Sequence, residues 1–380
     1  MAWRIVMRVA LVHDWLVTQR GGENVLVEMA RFFPKAPIYT LVHRPGGVDP
    51  ELEEHPIITS FIQRLPGAPH SFRRYLPLFP RAIEAFDLSD FDYIISTSHC
   101  VAKGVKVRPG QTHLTYVHSP MRYIWDQLPH YLPGNELSRR VLEPLAKVGT
   151  IPLRRWDRRS SARPTHVMGN SDFVVERIAR CWGRRAERLY PPVDVSYFEG
   201  GEDQERTGYL VVSALVPYKR VELAVRWARQ YGKKLTVIGN GSQLGRLRAL
   251  GGEQTVFTTN ASRSEVKAAY GKARGLLFCG VEDFGIVPLE AMAAGCPVVA
   301  LGSGGALETV VGEGAGGTGV FFAVPEVGAL EGAVERLEAM WASGGFRRAD
   351  LVGQARRFSR SIFRQEFKRI LRGFGLAVGE

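Results

Sequence analysis

The stretch GLLFCGVEDFGIVPLEAMAAGCPVVAL, Gly275–Leu301, decides the reading of this chain. It opens on a short apolar run, Gly275–Gly280, with the length and composition of a buried strand. A loop carrying Glu282 and Asp283 follows, then Gly285, which lets backbone approach a ligand closely. Pro288 reads as the first helical position, where its missing N–H costs nothing. A helix is expected over Leu289–Ala294, Gly295 ends it, and Pro297 opens the next strand. The amides of Gly285, Ile286 and Val287 then lie at a helix N-terminus, where they can donate to an anionic phosphate. Glu282 stands before that turn and Glu290 inside the helix. Two carboxylates flanking an amide-rich turn suit a ligand with hydroxyls at both ends and phosphates between, and a nucleotide sugar is one. The bland alternative is a loop cap at Glu282 and a solvated Glu290.

Outward from this stretch the same rhythm repeats. In the second half, YLVVSAL, KLTVIG, GLLFCG and PVVAL read as strands, separated by helices over Val221–Tyr231, Ser264–Ala273 and Leu289–Ala294. In the first half, strands are expected at Arg8–His13, Pro37–Leu41, Tyr93–Ser98, His113–His118 and Thr165–Asn170. Helices are expected over Glu23–Phe33, Glu136–Ser161 and Phe173–Trp182. The strands are continuous apolar runs, as parallel strands are when helices cover both faces. Two doubly wound α/β domains follow, with ligands beyond the carboxyl ends of the strands. The boundary falls in Leu189–Gly208, where Pro191-Pro192 and an acidic, glycine-containing run read as a linker. Expected divisions are 1–192, a linker 193–207, 208–357, and a terminal helix from 358 to 380. Phe358, Ile362, Phe363, Phe367, Ile370 and Leu371 share one face of that helix and require a docking surface.

The 380 residues are 45% hydrophobic and 23% charged, which excludes a disordered chain and suits two cores. Four scattered cysteines in no CxxC pair fit a reducing, cytoplasmic setting. No apolar run is long enough to span a bilayer, and the first residues lack a signal-peptide pattern. The net charge is +12 with Lys+Arg 50 and Asp+Glu 38, and most of the excess lies before residue 193. Arg139–Arg188 is the densest basic stretch. Within it LRRWDRRSSAR sets Leu153 and Trp156 among five arginines, a composition suited to an anionic lipid surface. Peripheral association with the cytoplasmic face of a membrane is the expectation, against a merely solvated helix face.

EDFGIVPLE resembles the Glu-x7-Glu motif of retaining glycosyltransferases of family 4, which carry two facing Rossmann-like domains, the GT-B fold. The resemblance runs over nearly the whole chain through HDWLVTQRGGENVL, HSPMRYIWD, GNSDFVVERI, YPPVD, SALVPYKRVELA, VIGNG, GGALETV and RFSRSIF. It is nearest to the mannosyltransferases that build bacterial O-antigen and exopolysaccharide units.

The resemblance implies roles. Glu290 matches the glutamate that binds the donor ribose, and Glu282 the one that binds the transferred sugar. Lys219 matches the lysine that neutralises the donor diphosphate, where a cation stabilises the leaving group. The family usually carries an arginine where this chain has Ala214, and Arg220 is the candidate replacement. Gly21 and Gly22, after the first strand, imply close backbone approach to the diphosphate. Gly239 and Gly241 imply a wall of the nucleotide pocket, and Glu308 a further nucleotide contact. His118, ending its strand, is the catalytic candidate of the first domain; His13 and Asp14 are weaker acceptor-site candidates. The implied donor is GDP-mannose, the acceptor a lipid-linked or polysaccharide glycan, and no metal or other cofactor is required.

Asp90-Phe91-Asp92 forms a DxD string, but before a strand rather than after one, the wrong end for a metal-bound nucleotide. No HExxH or CxxC exists and the nine histidines are scattered. A UDP-sugar donor or a nucleotide-sugar epimerase keeps the fold and changes the chemistry. A nucleic-acid-binding protein, prompted by the charge, leaves the paired glutamates unexplained.

Overall fold

The computed structural model describes residues 7–125, 128, 143–144, 146–200 and 205–376. The chain divides into two compact units: Met1–Pro192 with Phe363–Glu380, and Val193–Ile362.

The first unit is built on a seven-stranded sheet in the order β3-β2-β1-β4-β5-β6-β7. Its strands are β1 (Val9–His13), β2 (Ile38–Thr40), β3 (Ile57–Thr59), β4 (Tyr93–Ser98), β5 (Thr112–Val117), β6 (His166–Gly169) and β7 (Glu187–Arg188). Every pairing is parallel, with His13 opposite Thr97 and Val117 opposite Gly169. β1 is buried at all five residues, so its side chains are covered on both faces. The helix Arg360–Gly373 supplies part of that cover: Phe363, Phe367, Ile370 and Leu371 sit in one core cluster with Leu11, Leu114 and Tyr116. Ile362, expected on the same face, is 40% exposed, and Phe358 belongs to the second unit, where it packs on Phe284.

The second unit holds a six-stranded parallel sheet in the order β10-β9-β8-β11-β12-β13. The strands are β8 (Tyr209–Val212), β9 (Leu235–Ile238), β10 (Thr255–Thr258), β11 (Gly275–Phe278), β12 (Val298–Leu301) and β13 (Gly319–Phe322). β11 and β12 are buried throughout. In each sheet the order reverses once, between β1 and β4 and between β8 and β11. A doubly wound sheet binds its ligands at such a reversal, beyond the carboxyl ends of the strands.

Several elements differ from the sequence reading. The first helix is Gly21–Ala30, so the two glycines form its first turn rather than precede it. The helix after β11 runs Ile286–Ala293 and places Pro288 third, because Gly285 in the left-handed region starts the turn earlier. Residues 193–207 begin with a short helix, Val195–Phe198, whose Phe198 is buried edge-on to Tyr270. β3, β10, β13 and the helices Val327–Ala342 and Arg348–Arg356 carry no expectation from the sequence. The amino-terminal part of the helix expected over 136–161 lies outside the described residues; its carboxyl part is the helix Ile151–Ser160.

Candidate active site

Lys219 ends a 3-10 turn after β8, and Glu282 lies in the loop after β11. The reversal of strand order makes these two loops neighbours, and the Lys219 ammonium is ion-paired to Glu282 Oε1. Gly280 permits the approach: a Cβ there would lie 2.9 Å from Lys219 Cα. A small pocket at this point is lined by Ser213, Lys219, Phe278, Gly280 and Glu282.

Beside it opens a cleft of about 400 Å³ lined by Ser213, Ala214, Gly239, Asn240, Asn260 and Val287. Close packing requires its glycine: a Cβ on Gly239 would stand 1.9 Å from the Ser213 carbonyl oxygen. Gly241 crowds the Leu215 carbonyl in the same way, which brings the loop after β9 onto the loop after β8. Gly285, at φ 95°, caps the helix Ile286–Ala293, and the first amides of that helix have no partner within it. Val287 lines the cleft, and Glu290 follows at i+3 on the same helix face. Tyr270 Oη donates to Glu290 Oε2 at 3.1 Å. Burial pushes the Glu290 carboxyl up to about 7, against the opposing effects of the Tyr270 hydrogen bond and the Arg263 charge.

Glu308 lies half-buried on the short helix Ala306–Thr309 after β12. The loop before it is tied to the site, since Gly305 N–H donates to the Glu282 carbonyl at 2.9 Å. Arg220 takes the left-handed conformation at φ 51°, caps the helix Val221–Gln230 and is exposed. Ala214 is exposed in the cleft wall and adds no charge there.

In the first unit the corresponding edge carries a histidine cluster. His118 follows β5, and its ring lies over the first turn of the helix Gly21–Ala30, 3.5 Å from where a Gly22 Cβ would be. Among the described residues His118 Nε2 has no hydrogen-bond partner. Burial, reinforced by His99, His13 and Arg122, holds this imidazole well below the usual histidine range, so it is neutral at pH 7. His13 Nδ1 lies 2.5 Å from Thr97 Oγ1, and its Nε2 lies 3.7 Å from Glu23 Oε1.

Asp14 has a structural task. It is fully buried, and its carboxylate accepts main-chain N–H bonds from His99, Cys100, Val101 and Ala102 at 2.6–2.8 Å. It therefore shapes the loop after β4. One residue on, buried Lys103 pairs with buried Asp157 at 2.8 Å, and Asp157 Oδ2 accepts the indoles of Trp125 and Trp182. Sequence reasoning missed this cluster, because a Lys and an Asp far apart in the chain carry no local signal of pairing.

Trp156 overturns one expectation. It is buried and its indole donates to Glu84 at 2.7 Å, so it does not join a lipid-facing surface. Arg154 and Arg163 also turn inward, to carbonyl oxygens of Ile124 and Gly104. Arg155, Arg158 and Arg159 remain exposed, with Val148 and Ile151 beside them on that segment. Arg139 and Arg140 lie outside the described residues. The DxD string sits at the amino end of β4, where Asp92 accepts the Arg8 N–H at 2.9 Å. Among the described residues, no three His, Cys, Asp or Glu side chains are placed to share a metal ion. Among them, too, no helix is long and apolar enough to cross a membrane.

Two reversed-order parallel sheets, with paired glutamates and a lysine at the carboxyl edge of the second, define a GT-B glycosyltransferase fold. Residues 19–197 match Glycosyltransferase Family 4 and residues 195–357 match Glycosyl transferases group 1, and the chain belongs to this family. Among curated relatives, the GDP-mannose-dependent alpha-(1-6)-phosphatidylinositol monomannoside mannosyltransferase of Mycolicibacterium smegmatis is 32% identical, over 46% of this chain and 55% of that protein. The O-antigen chain mannosyltransferase RfbU of Salmonella typhimurium is 25% identical, over 46% of this chain and 50% of that one. The matches thus span about half the length of these relatives. Among solved structures, HepE of Anabaena in complex with UDP superposes with a TM-score of 0.69 at 16% identity, covering 97% of this chain and 100% of that one. Sucrose-phosphate synthase from Thermosynechococcus elongatus gives 0.70 at 17% identity, covering 97% and 99%.

Proposed function

We propose that this chain is a retaining hexosyltransferase that moves mannose from GDP-mannose to a lipid-linked or polysaccharide acceptor. The observation that carries the reading is the meeting of Lys219, Glu282 and the Glu290 helix at the carboxyl edge of one sheet. Mannose and GDP rest on the names of the curated relatives.

In this reading the cleft holds the nucleotide and Glu290 takes the ribose hydroxyls. Lys219 and the first amides of the Ile286 helix neutralise the diphosphate, and Glu282 takes hydroxyls of the sugar. The bond from the anomeric carbon to the diphosphate oxygen breaks, and the acceptor oxygen bonds to that carbon on the same face. The acceptor proton passes to the departing diphosphate. The protein contributes orientation and charge stabilisation rather than a covalent intermediate. His118, neutral and among the described residues without a hydrogen-bond partner at Nε2, is the first unit's candidate for a substrate contact. The transfer is read as metal-independent and cytoplasmic, with Arg155, Arg158 and Arg159 bringing the enzyme to an anionic membrane face.

The test is thermal-shift screening against GDP-, UDP- and ADP-sugars, followed by transfer assays with and without EDTA. Stabilisation by GDP-mannose alone supports the donor assignment. Preference for a UDP-sugar moves the enzyme to another donor, and response to none of them removes the nucleotide-sugar reading.

A further inference from the structure

Tyr270 is fully buried in the helix Arg263–Lys272, and its ring lies edge-on to Phe198 at 5.7 Å. That packing leaves the hydroxyl one direction, toward Glu290 Oε2. Among the described residues the other carboxylate oxygen, Oε1, receives no hydrogen bond, which leaves it for a ligand hydroxyl.

Two segments frame this carboxylate. Tyr270 and Arg263 come from one helix, and Asp194 precedes the short helix Val195–Phe198. Arg263 is itself committed, stacking over Tyr197 at 4.0 Å and pairing with Asp194 at 2.5 Å. Asp194 is also held by Arg360 at 3.3 Å. Lys267 Nζ donates to the Glu199 carbonyl at 2.9 Å, which pins the short helix in place. With the Arg263 charge shared by Asp194, the direct stabiliser of an ionised Glu290 is the tyrosine hydroxyl.

We propose that Tyr270 is the positioning residue for Glu290: its hydroxyl occupies one carboxylate oxygen and favours the ionised form, so that the other oxygen accepts from the ribose diol of a nucleotide. The inference rests on the nucleotide-sugar reading of this site. It assigns Tyr270 a function beyond core packing, since the ring alone would fill the same space.

The test uses the full chain with Tyr270→Phe, Glu290→Gln, and 3-fluorotyrosine incorporated at position 270. The Glu290 carboxyl is followed by ¹³C NMR in ligand-free protein, assigned by its loss in Glu290→Gln. GDP-mannose and GDP affinities are measured by calorimetry from pH 5.5 to 9. A hydrogen bond to an ionised group corresponds to about one pH unit, so Tyr270→Phe should raise the carboxyl midpoint by about that much. Donor affinity at pH 7 should fall about fivefold and recover toward pH 9. Fluorotyrosine, the stronger donor, should move the midpoint down, a result packing alone does not produce; it also serves if the phenylalanine variant does not fold. Superimposable midpoints in wild type and both variants overturn the proposal. Shifted midpoints with no nucleotide binding at any pH uphold the hydrogen bond's role but refute the ribose assignment and the reading beneath it.

Discussion

Lys219 and Glu282 form an ion pair between the loops that follow β8 and β11, with side chains only 14% and 22% exposed. Under the proposed function, the cation assigned to the diphosphate is here engaged by the carboxylate assigned to the sugar. On that proposal a nucleotide sugar would part them, its sugar hydroxyls taking the released carboxylate.

Glu282→Gln should therefore tighten binding of GDP without its sugar by about three- to tenfold, the order of a partly buried pair. Lys219→Ala should weaken it by more than about tenfold, and both variants should lose transfer activity. Calorimetry with GDP and an initial-rate assay check this; equal GDP affinity in Glu282→Gln and wild type would sink the competition.

Burial of the Glu290 carboxyl carries a stability cost once the group ionises. Its carboxyl is raised from 4.5 to about 7, so its contribution is present below pH 4.5 and lost as pH rises through 7. Glu290→Gln should make the ligand-free chain more stable at pH 8, by no more than about 3 kcal/mol, with little change at pH 4.5. Thermal melts at both pH values measure the difference, and the variant should lose stabilisation by donor.

The first unit should respond to acid in the opposite sense. His113 is lowered from 6.5 to about 3 by burial and His118 lies well below its usual range for the same reason. Their stabilisation is present above pH 6.5 and lost as pH falls toward the folded values. His113 should cost about 2 kcal/mol between pH 6.5 and 5, and His118 should add to the loss in the same sense. Denaturant melts of wild type and His118→Asn across that range should show a shallower acid slope in the variant.

Asp14→Asn should disorder the loop after β4. The amide side chain keeps one acceptor oxygen and turns an NH₂ toward main-chain donors, so the loss should be about 2–5 kcal/mol. Hydrogen exchange at residues 99–102 should quicken before the rest of the sheet does. Unchanged protection there would contradict the bonding described.

Charge reversal at Arg155, Arg158 and Arg159 together should abolish flotation with anionic liposomes while leaving donor binding intact. Trp156→Phe, by contrast, should lower stability and leave lipid binding unchanged, because the indole is spent on Glu84. Wild-type chain indifferent to lipid charge would end the membrane reading.

The sequence by itself determined the architecture of both sheets, because parallel strands covered on two faces leave long apolar runs, as in β1, β11 and β12. It also marked Glu282 and Glu290, since a strand–loop–helix unit places its loop at the carboxyl edge whatever the rest of the chain does, whereas Lys219 was marked by the family resemblance. Short or edge strands such as β3 and β10 stayed invisible, their pairing being set by neighbours rather than by their own few residues. Only the tertiary structure paired Lys219 with Glu282, turned Trp156 inward, gave Asp14 four amides and put Tyr270 behind Glu290. Those relationships depend on which loops the reversed strand order makes neighbours and on which polar groups burial leaves needing a partner. Neither quantity is local, so neither is written in any one stretch of the chain.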